Sequence, residues 1–156
     1  MKTPSLKEIK TELKDKSQDE LLEICISLTK FKKDNKEFLT YVLFQSYNEE
    51  EFVATIKQEI NEQFNTINTS TFYYIKKSIR KIARNTKKTI GYSKNKESEI
   101  EVLLYYCKKL KEVKPSIFKN LVLENIYLRE LNAIKKKISL LHEDLQFDFN
   151  LQLNDF

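Results

Sequence analysis

The sequence predicts an all-α protein, an irregular antiparallel helical bundle of about seven helices with a short α-solenoid as the alternative. Three observations lead there. The 156 residues contain one glycine, Gly91, and two prolines, Pro4 and Pro115, too few for the tight turns of a sheet protein. Apolar residues recur at spacings of three and four, the helical period. Polar caps (Ser, Asn, Thr) stand immediately before most of these periodic stretches. The chain is long enough to bury a core without disulfides, and with 40 % hydrophobic and 33 % charged residues it has the composition of a folded domain.

Seven segments follow in order. The first, Ser5 to Lys14, carries Leu6, Ile9 and Leu13 on one stripe. Ser17 with Glu20 three residues on has the form of a capping box. It opens a second segment to Phe31, apolar on two sides through Leu21, Ile24, Cys25, Leu28 and Phe31 and through Leu22 and Ile26. A third starts at Asp34 or Asn35 and contains Phe38, Leu39, Tyr41, Val42, Leu43 and Phe44. Asn48 caps a fourth with Phe52, Ile56, Ile60, Phe64 and Ile67 inward. Thr69–Thr71 lead into a fifth, 72–90, for which Gly91 is a natural left-handed stop. Asn95 begins a sixth with Ile100, Leu103, Leu104, Cys107 and Leu110 inward. Pro115, at an N1-like position, opens a last and longest helix to Leu145.

These segments, 1–145, read as a single domain. Residues 146–156 read as an extended tail, because Phe147, Phe149, Leu151 and Leu153 alternate with polar residues at the period of a strand. With four acids and no base from Glu143 onward, that tail is a candidate to fold back onto the basic face of residues 72–90 as a counter-charge, or to add to a partner. In the last helix Tyr127, Leu131, Ile134, Ile138, Leu141 and Leu145 form a seam, either internal to the bundle or a homodimer contact across 127–145. The opening, Leu6 to Tyr41 with its Lys- and Glu-rich capped helices, resembles uncharacterised bacterial all-helical proteins of unknown function, a resemblance that implies fold alone.

The inventory of reactive residues argues against an enzyme, and the expectation is a non-catalytic protein with no cofactor and no metal. His142 is the only histidine, so no pair of Glu-x-x-His motifs exists, and His142-Glu143 lacks the second histidine of a zinc-protease motif because position 146 is Gln. One glycine cannot build a phosphate-cradling loop. Cys25 and Cys107 lie on apolar stripes and read as buried, inert thiols. The charged start, Met1 to Lys14, has no apolar core, and no uncharged run is long enough to cross a bilayer, so the expectation is a cytoplasmic protein with no membrane partner.

Charge is segregated. Between Glu62 and Glu97 lie 34 residues without a carboxylate, holding nine of the chain's cations, while the remainder carries 19 basic and 23 acidic residues. On a helical wheel Phe72, Ile75, Ile79, Ile82, Ala83 and Ile90 fall on one side, and Lys76, Lys77, Arg80, Lys81, Arg84, Lys87 and Lys88 fill an opposite arc of about 140°. Like charges at i,i+4 (76/80, 77/81, 80/84, 84/88) destabilise a helix by about 0.2–0.5 kcal/mol each, and only those in the last turn are favoured by the helix dipole. These seven residues are the candidate polyanion-binding site, with Tyr73, Tyr74 and Tyr92 as stacking surfaces near the helix ends. Lysine is abundant throughout, 25 against three arginines, so a solvated lysine face is the plain alternative. The leading functional expectation is a helical scaffold or protein-binding module that recognises a protein partner through helical grooves or the tail. The second is a non-specific nucleic-acid or polyanion binder working through the 72–90 helix.

Overall fold

The computed structural model describes residues 2–156 and is helical throughout, with no strand among the described residues. Eight α-helices follow one another: α1 (Leu6–Lys14), α2 (Gln18–Phe31), α3 (Lys33–Thr40), α4 (Glu49–Asn65), α5 (Phe72–Ile90), α6 (Lys96–Glu112), α7 (Leu121–Ile138) and α8 (Glu143–Leu153). A π-helical segment, Tyr41–Gln45, continues α3, and a 3-10 turn, Ile117–Lys119, precedes α7. Among the described residues, no helix is long and apolar enough to cross a membrane. The chain divides into two compact units, one ending at Phe44 and one from Gln45 to Phe156.

In the first unit local signals shape the helices. Ser5 and Ser17 each close a full capping box, with Glu8 and Glu20 returning a carboxylate to the cap backbone N–H at 2.7 Å and 2.8 Å. α2 packs on α3, and Asn35 Nδ2 donates to the Leu28 carbonyl at 2.7 Å across their turn. Yet none of α1, α2 and α3 has a buried residue. The apolar stripes expected to be covered stand in solvent: Leu6 is 82 % exposed and Phe31 77 %. Cys25, expected in a core, is exposed as well.

The second unit holds the core. α6 is its axis, packed against α4, α5 and α7, and all five residues expected to face inward (Ile100, Leu103, Leu104, Cys107, Leu110) are buried together with Val102 and Tyr106. A helix apolar on several sides is one surrounded by other helices. α4 contributes Phe52, Val53, Ile56 and Ile60, and α7 contributes Leu123, Ile126, Tyr127, Leu131, Ile134 and Ile138. Burying each such side chain stabilises by about 1.5–3 kcal/mol. The short connections require successive helices to double back on one another. Tyr106 Oη, inside this core, donates to the Ile79 carbonyl at 3.0 Å.

Four expectations are corrected. The last helix does not open at Pro115. A cis Lys114–Pro115 bond and the 3-10 turn come first, and α7 starts where the Asn120 side chain accepts from the backbone N–H groups of Val122 and Leu123. α7 stops at Ile138 instead of Leu145, and His142 caps a new helix, its Nδ1 accepting from Asp144 N–H at 3.4 Å. Residues 146–156 are therefore no extended tail: they are helical to Leu153. With no sheet to join, an extended segment gains no backbone bonds beyond those water supplies, whereas the acidic first turn, Glu143 and Asp144, favours a helix. α8 packs on α7 with Phe149 inward, and Lys111 of α6 donates to the Asp155 carbonyl at 2.9 Å, so this stretch is held by α6 and α7. Last, Gly91 has an ordinary φ of −63°. Among the described residues the left-handed one is Lys94, φ 56°.

Candidate polyanion interface on α5

The orientation of α5 is dictated by its apolar stripe. Ile75, Ile79, Ile82, Thr86 and Ile90 are all 3 % exposed or less, at spacings of four, three, four and four. Rotating the helix to hide a lysine would expose several isoleucines at about 1.5–3 kcal/mol each. Thr71 caps the N-terminus by accepting from Tyr74 N–H at 3.3 Å, and packing against α4 and α6 holds the helix in place. The cations have nowhere to go but outward.

Of the seven expected site residues, five behave as one group. Lys77, Arg80, Lys81 and Arg84 are exposed, Lys76 is half-buried, and together with Tyr73 they line a single shallow depression along the helix. None of the five makes an ion pair among the described residues. The other two are set apart. Lys87 Nζ reaches across to α7 and sits 2.9 Å and 2.6 Å from the two carboxylate oxygens of Glu130, a residue only 5 % exposed. That ammonium neutralises a buried acid and is already occupied. Lys88 is half-buried at the edge of the arc.

Tyr73 is better placed than its position near the helix start implies. On the wheel it falls in the middle of the cationic arc, and it is 63 % exposed. The edge of one ring meets the face of the other between Tyr73 and Tyr74, centroids 5.4 Å apart, which gives the outer ring a fixed neighbour. Tyr92, at the far end, is half-buried. An aromatic face flanked by five unpaired cations combines the two elements used to hold single-stranded nucleic acid: a backbone-tracking positive surface and a platform for a base.

Reactive chemistry is scarce elsewhere. Burial pushes the Cys107 thiol up to about 12, so it stays protonated at neutral pH and is a poor nucleophile. His142 is an exposed helix cap. No group of three or more His, Cys, Asp or Glu among the described residues is arranged to hold a metal ion. Of the seam across 127–145, Tyr127, Leu131, Ile134 and Ile138 are buried inside the unit, while Leu141 and Leu145 are half-buried. Compared with known proteins, the chain matches no family model, no curated protein and no solved structure.

Proposed function

We propose that the protein is a non-catalytic binding module whose α5 face holds a nucleic-acid backbone without reading its sequence. The observation that carries this reading is the row Lys76, Lys77, Arg80, Lys81 and Arg84, five cations on one face without an acidic partner among the described residues. Leaving them unpaired destabilises the free helix through the repeated i,i+4 repulsions, and the attraction of an anionic ligand for each cation offsets that cost. Phosphates spaced along a strand suit a row of cations along a rod. Three lysines to two arginines supply few bidentate contacts to base edges, so affinity is expected without base preference. Tyr73 in the middle of the row favours a strand with unpaired bases over a duplex.

The test is fluorescence anisotropy with labelled single- and double-stranded oligonucleotides of one length. Wild type is compared with Lys77→Glu, Arg80→Glu, Lys81→Glu and Arg84→Glu combined. A control reverses four lysines in the first unit, Lys7, Lys10, Lys14 and Lys16, and so matches the change in net charge. The expected result is binding by wild type and by the control, tighter for single strands, and its loss in the α5 variant. Equal loss in both variants would make the interaction one of net charge alone and overturn the reading.

A second reading is favoured by a separate observation. The exposed apolar side chains of α1, α2 and α3, in helices with nothing buried, have the character of a protein-docking surface. On that reading the chain is a scaffold that joins a protein partner through its first unit.

A further inference from the structure

We propose that the N-terminal helices are a self-association surface, through which two copies of this chain join their α2–α3 hairpins into an intermolecular four-helix arrangement. The proposal rests on the docking-surface reading above and names the occupant. α1 is nine residues long and its stripe of Leu6, Ile9 and Leu13 faces solvent. A helix that short is marginal in water without a packed apolar face, so its capped, regular form calls for a cover.

The hairpin makes the same demand. α2 is apolar over about 220° of its wheel, and α3 takes up only part of that arc. Leu21 and Ile24 are half-buried, whereas Leu22 (57 % exposed), Ile26 and Phe31 are not. Leu43 and Phe44 on the second arm are 59 % and 65 % exposed.

Area, length and charge select a second copy. Eight large apolar side chains of the hairpin (Leu22, Ile26, Leu28, Phe31, Phe38, Val42, Leu43 and Phe44) are each a third or more exposed, and at about 100 Å² apiece they present roughly 800 Å². The largest apolar patch on an ordinary monomer is about 300–600 Å², and a stable interface takes about 800 Å² from each partner. The two arms, 14 residues of α2 and 13 of α3 with its π-helical extension, are both about 20 Å long. An identical hairpin related by a two-fold axis therefore covers both arms with none left over. Residues up to Phe44 carry nine basic and eight acidic side chains, so two copies approach without the repulsion that a strongly charged unit would impose. The same balance is unlike the basic polar face of a helix that lies on an anionic lipid surface.

Sedimentation equilibrium on the full chain, over a wide concentration range, tests the proposal. The expected mass is twice 18.7 kDa at the upper end. Leu22→Glu with Ile26→Glu should give a monomer in which Cys107 still resists alkylation, showing the second unit folded. Leu140→Glu, at a more exposed leucine (73 %) in the second unit, should remain a dimer. Monomeric wild type, or a double variant that still dimerises, overturns the proposal. Nile red separates the two failures. A monomeric wild type that binds the dye, and loses it in the double variant, keeps a docking face for some other protein, whereas a monomer that binds no dye removes that face as well.

Discussion

Two buried tyrosines with opposite hydrogen-bond status define the residue scale. Tyr106 Oη is bonded to the Ile79 carbonyl, and burial raises its pKa above the ordinary tyrosine range. Tyr127, 2 % exposed, keeps a hydroxyl with no hydrogen-bond partner among the described residues, and its ring meets Phe118 edge-on with centroids 5.5 Å apart. Removing a satisfied buried group is unfavourable and removing an orphaned one is not. Tyr106→Phe is expected to lose about 1 kcal/mol, and Tyr127→Phe to be neutral or stabilising, in urea denaturation. Lys87→Met should lose about 1–3 kcal/mol by leaving Glu130 buried without its counter-charge, and Glu130→Gln on that background should recover part of it. A loss in Lys87→Met no greater than in Lys81→Met would show the pair to be incidental. None of this was legible in the sequence. Positions 87 and 130, or 106 and 79, are brought together by tertiary packing, and nothing in local spacing marks a lysine as spoken for.

At the scale of the element, caps and stripes were legible and terminations were not. Ser17 with Glu20, Asn48, Thr71 and Asn95 all cap the helices that their positions imply. α5 could be drawn from sequence because its isoleucines keep the helical period over 19 residues with no acid to confuse the opposite face. The α7–α8 break was missed because an apolar seam runs on through Leu141 and Leu145 while the cap that interrupts it, His142, is an unusual one. The period-two pattern after it misled for the same reason: alternation specifies a strand only where a sheet exists to receive it. The two capping boxes give a pH prediction. Hydrogen bonds from the Ser5 side chain and backbone hold the Glu8 carboxyl below its ordinary 4.5, and those from the Ser17 backbone and side chain, with Lys16 nearby, do the same for Glu20. A carboxyl whose pKa is lowered on folding contributes fully above its unfolded value, and its contribution is lost as pH falls through the folded one. Far-UV circular dichroism should therefore show helix loss below about pH 4.5 that is absent in Ser5→Ala with Ser17→Ala. An identical acid profile in that variant would contradict the assignment.

For the whole molecule, amphipathicity told which faces are apolar but not what covers them. The stripes of α4 to α7 are buried against one another, whereas α2 and α3 pack together with most of their apolar side chains still exposed, although the two sets look alike as sequence. The cationic face was legible for a different reason, since charge segregation depends on the order of residues along one rod and needs no partner to be read. One surface is an apolar face in the first unit and the other a polycation in the second.

The most direct measurement is the salt dependence of oligonucleotide binding. Each phosphate neutralised on a single strand contributes about −0.7 to the slope of log K against log salt. With five free cations on α5, wild type should show a slope of about −3.5, and Lys77→Glu with Arg80→Glu should flatten it by about one unit or more as well as lower the affinity. Binding that is insensitive to salt, or a slope that the α5 substitutions leave unchanged, would contradict the account.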